Sequence, residues 1–387
     1  MPVLRSLITK KSTRIIVYIL FLFFVSEAAL RIQQRIGPLY DLEFDRYQAH
    51  LLSYDVNHKP SPASNYTELG IRLNPEGIPY EPDTEAVDTV LFLGDSFMQG
   101  LPSGETIPEF IEENYQNGAN PIKPVVFLNA GCSSYAPSIY IVQAKQLIPY
   151  YRPDFVVVSL DETDMVDDFA VYKPLVQRDS EGGIIAVGPS PIYEIKIMGM
   201  ISLKKFPFYT FRLLGMFYHK WIRMNWVGKT YRKKEREKYY SHPLADRDYL
   251  YSYTLVPAFD EAPDGRNKYL EEITYFDATL RELLATLIEL MGSPEKIMVI
   301  RHPHLYQLVP DYRGVLWKSY VTEITRKITD EYGVPFYDAS KDLKEAFADQ
   351  PRRFYLPADM HFNAEGLKLY ASLIGKNLTQ RLEQQAS

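Results

Sequence analysis

At 387 residues and 44.8 kDa the chain has room for one large domain with an insertion, or for two small domains. Hydrophobic residues make up 46% and charged residues 24%, which excludes disorder, coiled coil and collagen. The 43 basic and 49 acidic side chains leave −6, against a global nucleic-acid-binding surface, and a single cysteine, Cys132, excludes an intrachain disulfide and any multi-cysteine zinc site.

The N-terminus carries a targeting signal. Arg5, Lys10, Lys11 and Arg14 precede an apolar run from Ile15 to Val25 that continues, interrupted by Glu27, to Leu30. A basic flank followed by an apolar stretch is the plan of an export signal. Ser26-Glu27-Ala28 offers a cleavage site, whereas retention makes residues 1–35 a signal anchor, although Ile15–Leu30 is short against the roughly 20 residues of a full span. The positive-inside bias then leaves the rest of the chain extracytoplasmic, periplasmic or extracellular.

Residues 36–85 form an irregular lead-in, rich in Pro, Asn, Tyr and Asp. Strands are expected at Thr89–Gly94, Pro124–Asn129, Asp154–Leu160, Lys296–Ile300 and Val334–Tyr337. Helices are expected at Glu105–Tyr115, Ser138–Tyr151, Tyr269–Met291, Val315–Tyr332 and Ala364–Leu382. Alternation of continuous apolar strands with amphipathic helices predicts a three-layer α/β/α domain around a parallel sheet. The domain divides into residues 86–169 and 290–387, separated by an insertion at 170–289.

Within the insertion, Pro191–Tyr240 holds twelve Lys and Arg against three Glu, a local +9 that leaves −15 on the rest of the chain. Phe206, Phe208, Tyr209, Phe211, Phe217, Tyr218, Trp221 and Trp226 are interleaved with these charges. Such a stretch suits an anionic lipid surface or an anionic glycan, as a lid or substrate wall; packed inward, it is only a solvated cover.

Two sites of chemistry stand at strand ends. In Leu91-Phe-Leu-Gly94-Asp95-Ser96-Phe97 a serine follows a buried strand on a Gly-led turn, at the carboxyl edge where open α/β sheets build their sites. The Gly-x-Ser-x-Gly elbow is absent because Met98 stands at its last position. Near the other end, Asp359-Met-His361 precedes a helix with Asn363 as N-cap. A nucleophilic serine needs an imidazole to take its proton and a carboxylate to orient that imidazole. Ser96, His361 and Asp359 supply the three.

With these residues in place, the sequence resembles the SGNH (GDSL-type) hydrolase superfamily. Gly94-Asp95-Ser96-Phe97 is similar to its first block, Asn129-Ala-Gly131-Cys-Ser133-Ser134-Tyr135 to its second, Glu162-Thr163-Asp164 to its third, and Asp359-Met-His361 to its last. Leu69-Gly70-Ile-Arg72-Leu-Asn74 and Glu105-Thr106-Ile-Pro108 look like the membrane-anchored branch that includes cell-surface polysaccharide O-acyltransferases and esterases. The resemblance implies a flavodoxin-like fold and a Ser96–His361–Asp359 triad. It also implies an oxyanion hole made by the amides of Ser96 and Ser134 with the Thr163 hydroxyl. No cofactor and no metal are implied, and the substrate is an acylated glycan or small ester. Ser134 stands where the family has Gly, and Thr163 where it has Asn, so a catalytically weakened glycan-binding module is the alternative.

His302, His304 and Asp164 are further substrate-binding candidates at the same sheet edge. The acidic run Asp161, Glu162, Asp164, Asp167 and Asp168 lacks calcium-loop spacing and reads as a solvated site rim. Cys132 reads as a buried inert thiol.

Overall fold

Five apolar runs become the strands of one parallel sheet: β1 (Asp88–Leu93), β2 (Val125–Asn129), β3 (Phe155–Leu160), β4 (Ile297–Arg301) and β5 (Phe336–Asp338). Their spatial order is β2-β1-β3-β4-β5, every pair parallel. The order reverses between β1 and β3, which makes the carboxyl ends of these two strands the switch point of a flavodoxin-like sheet. The computed structural model describes residues 2–36, 50–53, 55–56, 58–60, 66–73, 88–100, 105–116, 124–189, 207–217, 270–309, 319–347, 350–356 and 361–386.

Alternation along each strand feeds two cores. Leu91 and Leu93 face one side, with α3 (Pro137–Tyr151), α5 (Leu270–Met291) and α6 (Tyr320–Tyr332). Val90 and Phe92 face the other, with α2 (Ile107–Gln116), α7 (Ser340–Phe347) and α8 (Ala364–Ala386). β3 and β4 are buried at every position, as strands covered on both faces must be. The expected three-layer α/β/α domain is therefore present, with α7 an element that the sequence pattern missed.

Local signals fix the helix starts around the site. Thr106 and Glu109 form a reciprocal cap of α2: the Glu109 amide donates to Thr106 Oγ1 (3.3 Å) and the Thr106 amide to Glu109 Oε2 (3.0 Å). Glu109 Oε1 also accepts from Arg72 Nε at 3.0 Å, and the Arg72 amide donates to Asn129 O at 2.9 Å. The end of the lead-in is thus fastened to β2. Asn363 Oδ1 accepts from the Gly366 amide at 3.0 Å, the expected N-cap of α8.

The insertion is shorter than 170–289 on both sides. A hairpin of Val176–Arg178 and Ile184–Val187 buries Ile184 and Val187 in the core, and α5 packs along α3 with Phe276, Leu280, Leu283, Leu284 and Leu287 fully buried. Both belong to the α/β domain. Chain contacts divide the molecule into that unit, Ser53–Ser190 with Lys234–Ser387, and a second one, Met1–Leu52 with Pro191–Lys233.

In the second unit α1 (Pro2–Ile36) is long and apolar enough over Thr13–Gln33 to cross a membrane, a test that signal sequences also pass. Its side chains from Ile15 to Leu22 are exposed. Glu27 is buried because α4 (Tyr209–Phe217) starts against it: the Thr210 amide and Oγ1 donate to Glu27 Oε2 at 2.9 and 3.0 Å, and Arg31 Nε to Oε1 at 2.8 Å. Phe23 meets Phe208 and Phe211 at ring separations of 5.3 and 5.1 Å. The remaining basic residues of 191–240 lie outside the described residues, apart from Arg212.

Candidate active site

Ser96 leaves β1 on a single helical turn, Ser96–Gln99, whose N-cap is Asp95: its Oδ1 accepts from the Phe97 amide at 2.9 Å. That turn presents the Ser96 hydroxyl at the sheet edge. Chain order brings His361, 265 residues later, to its side, with His361 Nε2 and Ser96 Oγ 2.7 Å apart. His361 is held in place by Phe97, 4.6 Å between ring centroids, and its carbonyl accepts from the Leu356 amide at 2.9 Å. Both side chains are half-buried. Asp359, the expected third member, lies outside the described residues.

The second block is welded to the serine turn. Asn129 Nδ2 donates to Met98 O (2.7 Å), the Cys132 amide to Gly94 O (3.1 Å) and the Ser133 amide to Gln99 Oε1 (2.7 Å). A Cβ on Gly131 would stand 2.5 Å from Met98 Cβ and 2.7 Å from the Gln99 amide, so only glycine lets the two segments meet. Ser134, where the resemblance led to an expectation of glycine, takes φ 62°, the left-handed conformation that an L-residue rarely adopts. Its carbonyl is turned away and accepts the buried Tyr172 hydroxyl. The N–H groups of Ser96 and Ser134 have no partner among the described residues, whereas those at 130–133 and 135 are all engaged. Two donors are therefore available near the serine for a developing oxyanion.

Thr163 does not join them. Its Oγ1 donates to Asp161 Oδ1 at 2.6 Å, and its amide donates to the same oxygen at 2.7 Å. Asp161 is the N-cap of the short helix Glu162–Val166, and the threonine hydroxyl is drawn into that cap, away from the role expected of it. Asp164 completes the cap, its Oδ2 accepting from the Asp161 amide at 2.9 Å, and it is buried. His302 and His304 are also buried and turned towards Asp161 rather than outward. The substrate-binding role expected of these three residues is thus not supported by where they sit.

The acidic run is likewise not a solvated rim: Asp161, Glu162, Asp164 and Asp168 are all buried. Each has a reason to be there. Glu162 pairs with the buried Arg301 at 2.7 Å, and Asp168 Oδ1 accepts from the Ser138 amide at 3.0 Å. Burial tends to raise Asp161, but the adjacent imidazoles of His302 and His304, by contact and by charge, outweigh it and hold the carboxyl well below its usual range. Burial and the Asp161 charge push Asp95 and Asp164 well up. Burial also lowers His302 to about 4, so its ring is neutral. Cys132 is buried as expected.

The association of Asp161 with His302 was readable in outline: Leu160 and Arg301 are register partners on β3 and β4, so the next residue on each strand emerges side by side. The strand pairing itself was what the sequence did not state.

No family model matches the chain and no curated protein matches it. Among solved structures it is similar to a lipase/acylhydrolase from Enterococcus faecalis, with 13% identity, TM-score 0.38, and coverage of 76% of this chain and 96% of the other. It is also similar to a catalytic mutant of the acetylxylan esterase Axe2 from Geobacillus stearothermophilus (13% identity, TM-score 0.41, 74% and 92% covered). A third is LAE5, an alpha/beta hydrolase enzyme from the metagenome of Lake Arreo, Spain (11%, TM-score 0.39, 75% and 95%).

Proposed function

We propose that the chain is a membrane-anchored serine esterase or O-acyltransferase whose substrates are ester-linked acyl groups, acetyl groups of an extracytoplasmic glycan above all. The observation that carries this reading is the 2.7 Å pair of Ser96 Oγ and His361 Nε2 at the switch point of the sheet. Ser96 Oγ attacks the ester carbonyl while His361 Nε2 takes its proton, and Asp359 orients the imidazole. The negative oxygen of the tetrahedral intermediate faces the amides of Ser96 and Ser134. His361 returns the proton to the departing alcohol, leaving an acyl-serine. Water or a sugar hydroxyl then accepts the acyl group by the same steps in reverse.

Ser96→Ala tests the nucleophile. Hydrolysis of p-nitrophenyl acetate should fall by about 10³-fold or more, and labelling by a fluorophosphonate should vanish. Unchanged turnover rejects the reading. Mass spectrometry of envelope glycans with and without the protein then separates deacetylation from acetyl transfer.

The engagement of the Thr163 hydroxyl by Asp161 favours a second reading, a weakened glycan-binding module. A lost oxyanion donor costs about 2.7–4 kcal/mol of transition-state stabilisation. If the parent is inert and Thr163→Asn with Ser134→Gly confers esterase activity, the binding reading gains; robust parental turnover removes its basis.

The membrane assignment rests on α1, on its basic flank and on the way α4 closes over Glu27, since a buried carboxylate in an apolar helix needs such donors. The basic segment 191–240 is assigned to anionic headgroups or an anionic glycan.

A further inference from the structure

Beside Phe97, whose ring meets those of His302 and His304, stand three side chains that the acyl-transfer chemistry does not use. Asp161 follows β3; His302 and His304 follow β4. All three are buried, and their ligand atoms lie within 4.8 Å of one another. Asp161 Oδ2 is 3.0 Å from His304 Nε2 and 3.6 Å from His302 Nε2. The first is a hydrogen bond; the second is too long for one. His302 consequently has neither ring nitrogen hydrogen-bonded among the described residues, although its ring is fully buried. A buried imidazole without partners is costly, and its Nε2 is directed at a carboxylate oxygen it does not bond.

We propose that Asp161 Oδ2, His302 Nε2 and His304 Nε2 bind a divalent transition-metal ion, zinc being the best fit. Zinc bonds of about 2.0–2.1 Å in tetrahedral geometry set ligand atoms about 3.4 Å apart, and the two carboxylate–imidazole separations, 3.0 and 3.6 Å, bracket that value. Two imidazoles and one carboxylate form a donor set for zinc, cobalt, nickel or iron, and not for magnesium or calcium, which take oxygen. The carboxylate is already orientated for ligation. Oδ1 accepts from the Thr163 amide, the Thr163 hydroxyl and the Asp164 amide, which leaves Oδ2 directed at the imidazoles. Such outer donors fix a ligand's geometry. Binding displaces the proton between His304 Nε2 and Asp161 Oδ2, and a water takes the fourth position.

The ion ties the ends of β3 and β4 together. It lies against Phe97, whose ring is 3.6 Å from that of His302 and 4.6 Å from that of His361, so it braces the wall behind the Ser96–His361 pair.

The test uses the full chain in detergent micelles. After stripping with a chelator and refilling with Zn²⁺, elemental analysis following dialysis should find about one zinc per chain, and thermal unfolding should shift upward. Replacement by Co²⁺ should give the intense visible bands of a tetrahedral site. His302→Gln and Asp161→Asn should each weaken Co²⁺ binding by about tenfold or more. A folded parent chain that retains no zinc and develops no such bands overturns the proposal. So does Co²⁺ binding left intact in a His302→Gln, His304→Gln double variant. Where a variant does not fold, the zinc content and cobalt spectrum of the parent decide alone. Fluorophosphonate labelling of Ser96, read on the same samples, reports separately on the serine chemistry.

Discussion

Ser134 shows how a single backbone angle substitutes for a residue type. The left-handed conformation costs an L-residue about 1 kcal/mol, yet it directs the amide outward and the carbonyl to Tyr172. Ser134→Gly should therefore raise stability by about 1 kcal/mol, measurable by thermal unfolding, and leave any p-nitrophenyl acetate hydrolysis by the parent unchanged, since the amide is kept. Asp168 makes a prediction of the opposite kind. Burial raises it to about 7, above its value in the unfolded chain, so the folded state holds the proton more tightly. Its contribution is present at low pH and is lost as pH rises from about 4 through 7, up to about 4 kcal/mol. Asp168→Asn should thus raise the unfolding midpoint at pH 8 and change it little at pH 5. His302, lowered to about 4, acts with the reverse sign, its contribution being lost as pH falls from about 6.5 towards 4. The difference between parent and variant isolates Asp168.

Among elements, the join between the serine turn and the loop after β2 is a close one. Gly131→Ala would drive a methyl into Met98 and the Gln99 amide, with backbone on one side that cannot move aside. A loss of about 1–3 kcal/mol is expected, together with reduced fluorophosphonate labelling, because the loop carrying Ser134 is displaced from Ser96. The elements themselves were largely legible. β1, β2 and β3 are uninterrupted apolar runs, as doubly covered strands must be, and their expected ends differ from the observed ones by one residue at most. Ser96 and His361 were legible because a serine at one strand end and a histidine before the last helix have few other reasons to meet. Thr163 was not: a hydroxyl two residues after an aspartate serves an oxyanion hole or a cap equally well in one dimension. The distance between Asp161 and Thr163 decides between them. α7 escaped notice since its buried face rests on Leu343 and Phe347 alone.

At the scale of the molecule, charge is partitioned, with +9 in Pro191–Tyr240 against −15 elsewhere. Such a chain on an anionic bilayer is drawn down at one segment and repelled at the rest. Deleting residues 1–33 should leave partial, salt-sensitive co-sedimentation with phosphatidylserine vesicles through the basic segment and through Phe208, Phe211 and Leu214, which are exposed. Adding about 1 M salt should then release it. Salt-independent binding would assign the attachment to apolar contact alone. The Glu27–Thr210 contact, spanning 183 residues, helps to join α1 and α4, and no local pattern announced it.

The Tyr172 hydroxyl has a consequence for control. Tyr172 closes the π-helical turn Asp167–Tyr172, the wide winding from which the chain departs towards the hairpin and the insertion beyond it. Relaxing that turn to an ordinary α pitch would rotate the phenol by a fraction of a turn and release the Ser134 carbonyl, letting the peptide reorient. If Ser96 is the nucleophile, Tyr172→Phe should lower its labelling by a fluorophosphonate, because the Ser134 carbonyl loses the donor that holds it.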